Sequence, residues 1–327
     1  MLERLRSPWS DRRAEVILGA LACTVLAIIV FMIVFVAIRA WPSFHANGLS
    51  WFSAKGDVDQ QLNKMVNSGA NPTQADYQLG AWPLIYATLL TTALATGFGL
   101  VFAVLSAIFI VEFAPEWIRR LIVPIVRLLA AVPSVVYGLI GILVLAPFVG
   151  NHLVTSHQQE SVRFVVQLSG TSLLVAVVIL TVMITPIMVA ITVDGLYAIP
   201  KSWKEGAVAL GVNRWRAMWT VTVRAARPAI IAGAVLATAR AVGEAIMISM
   251  VSGSKGFSPN PLDGITFIYE PLRTLAATIV EDSESINAPA MQASLYAMAL
   301  LLLAGAFFLS LASWIAKQPL KKYGTRS

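Results

Sequence analysis

The sequence predicts an all-α, polytopic membrane protein of six transmembrane helices. Two observations carry that expectation. Only 13% of the 327 residues are charged, about half the share of a soluble domain, which is too few to cover a water-facing surface. The hydrophobic residues, 57% of the chain, gather in blocks that reach the roughly 18 residues of a membrane span. A soluble protein would interleave them with polar residues at helical or strand spacing.

The six expected spans cover residues 16–38, 83–111, 121–149, 171–193, 229–251 and 290–316. Each is long enough to cross about 30 Å of hydrocarbon at 1.5 Å per residue. Backbone groups in lipid have to be satisfied internally, so these runs are helices and not open strands. The first run is too long for the apolar core of a secretory signal and is read as a retained signal anchor. Residues 1–15 then form an N-terminal segment, and residues 16–327 a transmembrane domain.

Orientation follows from the basic residues. With both termini in the cytoplasm, the inner segments hold sixteen Lys and Arg, against Lys55, Lys64, Arg163, Lys255 and Arg273 outside. This is a clear positive-inside bias. The net charge of +7 is spread over short loops, which argues against a nucleic-acid surface. Between the outer ends of spans one and two lies a long segment. It has turn formers at Asn67, Gly69, Asn71 and Pro72, and Trp41, Trp51 and Trp82 near its ends suit a membrane interface.

Several chemistries have no residues to carry them. The single Cys23 allows no intramolecular disulfide, and His45, His152 and His157 lack ligand spacing. There is no phosphate-binding G-x-x-x-x-G-K-[ST] loop, no nucleophile elbow and no H-E-x-x-H. The chain is therefore expected to be a non-enzymatic subunit that binds no cofactor itself. Its energy has to come from a partner or an ion gradient.

The inner loop 194–228 is the most informative segment. Pro200 ends one path, and Ser202 and Glu205 have the spacing of a capping box. A short helix is expected over 203–210, followed by Gly211 where a left-handed conformation is often needed. Asn213 suits the N-cap of a second amphipathic helix running toward Pro228. Gly206, Ala207 and Ala209 allow another surface to approach closely, with Trp203 and Leu210 as apolar anchors. The short helix is either a docking element or a plain link between spans.

Glu205-Gly206-Ala207, with Gly211 and Pro228 beyond, resembles the E-A-A…G motif of bacterial ATP-binding-cassette importer permeases, with Gly206 in place of the usual first Ala. Ala131-Val-Pro-Ser-Val-Val-Tyr-Gly138 and Arg240-Ala-Val-Gly-Glu244 are similar to segments of the phosphate-specific permeases, and 138–147 looks like the C-type subunit. The resemblance implies a type I importer permease fold, in which the loop is a coupling helix seated in a groove of an ATPase. It also implies a homologous second permease, two ATPase subunits that hold ATP and Mg, and an extracytoplasmic phosphate-binding protein.

Arg240 sits near mid-membrane if the fifth span starts at residue 229. A charge there costs about 2.5 kcal/mol or more and needs protein or water around it. On one continuous helix, Glu244 falls one turn further on the same face. The two form either a structural ion pair or a station for an anion, whose oxygens suit the planar guanidinium fork. Pro133 interrupts the third span's hydrogen bonds, so Ser134 and Tyr137 either line a path or mark a packing kink. Other oxyanions such as sulfate or molybdate, and an ion-gradient transporter, are the competing readings.

Overall fold

The computed structural model describes residues 8–162 and 166–317. In order, the helices are α1 (Pro8–Asn47), α2 (Val58–Val66), α3 (Trp82–Ile108), α4 (Glu116–Ala130), α5 (Ser134–Leu153), α6 (Ser156–Ser161), α7 (Leu173–Tyr197), α8 (Lys201–Ala209), α9 (Arg214–Val242), α10 (Ile246–Val251), α11 (Leu275–Glu281) and α12 (Pro289–Lys317). No strand forms among the described residues. Six helices, α1, α3, α5, α7, α9 and α12, are long and apolar enough to cross a membrane. Their number matches the sequence reading, while several boundaries move. Of the segment 1–15 expected before the first span, residues 8–15 already belong to α1. Arg4, Arg6, Arg163, Lys321, Lys322 and Arg326, which enter the charge count, lie outside the described residues.

Helix α7 is the hub. It packs on α3, α9 and α4, and 61% of its most apolar stretch is buried inside the protein, against none for α1. Without water between helices, close backbone approach is what holds such a bundle together. Gly99 lets α3 approach Ile184 and Thr185, Gly233 lets α9 approach Ile191, and Gly195 meets Ala229. Helix α1 touches α12 through Val36, Ala40 and Ser43, while residues 16–35 stay exposed. Exposed Val, Ile, Leu and Phe are at home against lipid.

The expected third span does not exist as one helix. Pro133 lacks an N–H and pushes Val132 out of helical geometry, and the chain breaks at 131–133. Helix α4 before the break is about 22 Å long at helical rise, too short to span. It is amphipathic: Trp117, Leu121, Ile125 and Leu128 face out, while Ile122, Val123 and Val126 pack on the core. The real span, α5, starts at Ser134. Arg127 lies on α4 and meets Asp194 of α7 at 3.0 Å.

The expected fifth span is also divided. Helix α9 starts at Arg214 and runs unbroken past Pro228, with a π turn at Met218–Thr222 upstream of the proline. It stops at Val242, and α10 resumes at Ile246.

The segment between α1 and α3 is an ordered cap containing α2, a helix absent from the sequence reading. Val58, Leu62 and Met65 form its buried stripe, and Asp57 caps its start. Trp51 is not at an interface. It is fully buried and donates its indole N–H to Ser43. Arg273, 7% exposed, ties the cap to the α11 region by ion pairs to Asp59, Glu281 and Asp282. Burial holds the Glu281 and Asp282 carboxyls above their usual range, an effect that Ser254 at Glu281 and Arg273 at both offset only in part. This layer meets the start of α7, where the Leu173 N–H donates to the Glu270 carbonyl. Helix α8 follows the other end of α7, about 37 Å away at helical rise.

Candidate functional site

The first candidate region is α8 and its supports. The helix spans Lys201–Ala209 with Pro200 as N-cap, and no side chain caps it. The expected capping box is therefore absent: Ser202 lies inside the first turn, because the rigid φ of Pro200 already starts the helix two residues earlier. The far end matches expectation. Gly211 has φ +82, its N–H donates to the Val208 carbonyl, and the Asn213 side chain caps α9 by accepting from the Trp215 N–H. Trp203 is 40% exposed and Leu210 87%. Glu205 and Gly206 are exposed as well, and Ala207 is half-buried.

A contact absent from the sequence reading holds α8 to the bundle end, and a second braces the turn that it meets. Lys204 forms an ion pair with Glu112, in the π turn Phe109–Phe113 that ends α3, and both side chains are largely buried. Arg119 of α4 closes the same turn, donating to the carbonyls of Ile110, Val111 and Ala114. These are carbonyls that a helix end would otherwise leave unsatisfied. The available signal was Glu112 itself, a lone carboxylate at the edge of an apolar run. Lys204→Met is expected to cost about 3 kcal/mol, since it strands a poorly solvated carboxylate. The double variant Lys204→Met/Glu112→Gln should recover most of that loss. A double-mutant cycle on thermal stability in detergent checks this, and additive losses would refute it.

The second region lies where the two broken spans meet. Helices α5 and α10 pack together through Gly138 against Met247 and Met250, and Gly141 against Val251. The break after α4 frees carbonyls at its C-terminus. The Tyr137 hydroxyl donates to the Leu129 carbonyl at 3.1 Å, and the Arg240 guanidinium to the Ala130 carbonyl at 3.4 Å. On the other side of the second break, Glu244 accepts the Met247 N–H at 3.3 Å and so caps α10.

Arg240 and Glu244 are therefore not one turn apart on a continuous helix, because α9 ends between them. No ion pair joins them among the described residues. Each is half-buried, and each serves a helix end of the sign it complements: a cation at a C-terminus, a carboxylate at an N-terminus. Ser134, in the first turn of α5, is also half-buried. The structure thus gathers Arg240, Tyr137, Ser134 and Glu244 around two adjacent chain breaks. Arg240's contact to Ala130 is long, and a guanidinium carries five N–H donors, so among the described residues most of its donor capacity is unused.

Known proteins are similar to this chain in sequence and in fold. Residues 99–317 match the family model described as binding-protein-dependent transport system inner membrane component. The probable ABC transporter permease protein YqgH of Bacillus subtilis is 33% identical over 267 residues, which is 80% of this chain and 79% of that protein. The phosphate transport system permease protein PstC 1 of Mycobacterium tuberculosis is 34% identical over 259 residues, 76% of this chain and 74% of that one. Among solved structures, a bacterial ABC transporter involved in the import of the acidic polysaccharide alginate matches with a TM-score of 0.54. It is 15% identical, with 97% of this chain and 99% of that chain covered. The methionine transporter MetNI in an inward-facing conformation matches with a TM-score of 0.53 at 18% identity, with 75% of this chain and 97% of that chain covered.

Proposed function

The chain belongs to the binding-protein-dependent transport system inner membrane components, the multi-pass permeases of ABC importers, and on that premise we propose that it imports phosphate as one half of a heterodimeric pathway. Its partners would be a homologous second permease, two ATPase subunits that hold ATP and Mg, and an extracytoplasmic phosphate-binding protein. Both termini and α8 face the cytoplasm in this reading, and the layer around Arg273 faces outward. The similarity to phosphate permeases supports the cargo.

The observation that carries the reading is α8 itself. It is fixed to the bundle end by Lys204–Glu112, yet it leaves Trp203 and Leu210 exposed. Trp203, Glu205, Gly206, Ala207, Leu210 and Gly211 are the residues proposed to meet the ATPase. A rigidly rooted helix can transmit a push from an ATPase to α3, α7 and α9 together. Arg240, Glu244, Ser134 and Tyr137 are proposed to line the path at the chain breaks. Broken helices offer oriented backbone ends and polar side chains to a substrate where an unbroken helix offers neither. Glu244 would accept a hydrogen bond from a protonated phosphate oxygen and keep Arg240 from holding the anion too tightly.

The test is ATP-dependent uptake of labelled phosphate by the reconstituted complex, with sulfate or molybdate in excess as competitors. Competition by either anion as strong as by unlabelled phosphate would move the cargo to another oxyanion. Arg240→Ala is expected to lower uptake at least ~10-fold, as expected for loss of a charge-assisted contact. Arg240→Lys should be intermediate, because an ammonium lacks the bidentate fork. If Arg240 only caps α4, both variants will lose thermal stability and keep their uptake.

A further inference from the structure

Helix α4 is tied at its two ends to the two regions described above. Near its start, Arg119 donates to the carbonyls of Ile110, Val111 and Ala114 at 3.0, 2.9 and 3.3 Å. Its guanidinium also lies over the ring of Tyr197, which ends α7. The π turn Phe109–Phe113 that Arg119 closes carries Glu112, the partner of Lys204 on α8. Helix α8 is thus joined to α4 through one turn and two charged side chains. At the far end of α4, the Leu129 carbonyl accepts from Tyr137 and the Ala130 carbonyl from Arg240. Arg119 and Ala130 lie on one helix that continues through Pro124, about 16 Å apart at helical rise.

Between its ends α4 is held less firmly. Ile122, Val126 and Leu129 border a groove of about 990 Å³ between α3 and α7, so this side of α4 lacks the close packing of a protein interior. The Arg127–Asp194 pair is exposed on both partners, and exposed pairs contribute little. The Arg240 contact to Ala130, at 3.4 Å, is at the long limit of a hydrogen bond and is easily exchanged.

We propose that Arg119 is a positioning residue for transport: it passes the movement of α8 to α4, and α4 re-aims Arg240. The Ala130 carbonyl takes one of the guanidinium's five donors and so sets the direction of the others. When α8 moves, Lys204 and Glu112 carry the turn with it, and Arg119 carries the start of α4. Ala130 then shifts against α9, and the free donors of Arg240 turn toward the anion or away from it. Linkage of two distant sites requires an element with two arrangements that both sites bias, and α4 is that element here. The proposal rests on the reading of α8 as the ATPase contact and of Arg240 as an anion station.

The experiment measures ATP hydrolysis and labelled-phosphate uptake together in the reconstituted complete complex. Arg119→Met is expected to keep hydrolysis within about 2-fold while uptake falls about 10-fold, in the range for losing a connecting contact. Lys204→Met/Glu112→Gln cuts the same route at α8 and is expected above to keep its stability. It should show the same split, and it decides the matter if Arg119→Met fails to assemble. Added to Arg240→Ala, Arg119→Met should cost less than about a further 2-fold, whereas independent residues this far apart add their effects. Spin labels at Leu128→Cys and Leu236→Cys, both exposed, in a Cys23→Ser chain read the distance between α4 and α9 whatever the cargo. That distance is expected to change when a non-hydrolysable ATP analogue binds, and to stay fixed with Arg119→Met or the double variant. No phosphate uptake by the wild-type complex would strike the phosphate reading, and the label distance would still decide this one. Hydrolysis and uptake falling together in the double variant, full additivity with Arg240→Ala, or a distance that responds to the analogue in every variant overturns the proposal.

Discussion

Gly211→Val is expected to reach the membrane in normal amounts, to recover the ATPase poorly on purification and to import at a tenth of the normal rate or less. Gly211 has φ +82 and nothing within 4 Å of the place a Cβ would occupy. The penalty is therefore backbone strain and not collision, about 1–2 kcal/mol for a residue forced into left-handed geometry and more for a β-branched one. That strain is relieved by turning α8 away from its present direction. Trp203 and Leu210 would then be carried out of register with any groove shaped to receive them. Gly211→Asn makes the argument specific, because Asn tolerates this conformation and should keep most of the transport. Equal losses in the Val and Asn variants would show that the position matters for its lack of a side chain and not for its backbone.

Gly195→Ala is expected to destabilise the bundle by about 1–3 kcal/mol, the cost of overpacking a close contact. A Cβ there would stand 2.1 Å from the Ala229 Cβ, where ordinary contact needs more than 3 Å, so α7 and α9 have to separate. These two helices share one of the most extensive contacts in the protein. The reciprocal Gly195→Ala/Ala229→Gly should restore most of the loss, because the next nearest atom, the Ala229 Cα, is 3.7 Å away. The fraction of complex that stays soluble after heating in detergent measures both. A double variant no better than the single one would mean that the helices do not meet at this point.

Much of the architecture was legible in the sequence, and the reasons are physical. Lipid accepts only long apolar helices with internally satisfied backbones, so hydropathy counted six spans and six are present. Gly211 and Asn213 declared their roles because left-handed geometry and N-capping are local demands met by few residue types. The capping box at Ser202 and Glu205 failed because two local signals competed, and the fixed geometry of Pro200 prevailed. Helix α2 was missed because its buried stripe of Val58, Leu62 and Met65 is short and set among polar residues and turn formers. Trp51 was misplaced because a tryptophan near a span is read as an interfacial anchor, while here Ser43 supplies the partner its N–H needs in the interior.

The site was legible as residues but not as geometry. Arg240, Glu244, Ser134 and Tyr137 were singled out by type and position, and the structure gathers them. Their arrangement depends on two chain breaks that hydropathy runs straight through, because Ala131, Val132 and Ala245 are as apolar as their neighbours. Proline and glycine permit a break, but whether it forms depends on who satisfies the backbone it opens. At the first break the donors are Tyr137 and Arg240, the latter 110 residues away in sequence. The same holds for Lys204 and Glu112, 92 residues apart.

The sequence by itself determined the membrane class, the number of spans, the short helix before Gly211 and the residues with chemistry to offer. The tertiary structure alone decided where the spans break, which charges pair, and that Arg240 and Glu244 serve two different helix ends and not each other. Burial in lipid and local backbone geometry act on neighbours along the chain. An orphaned carbonyl or a stranded charge is satisfied by whichever donor or counter-charge the packing brings near.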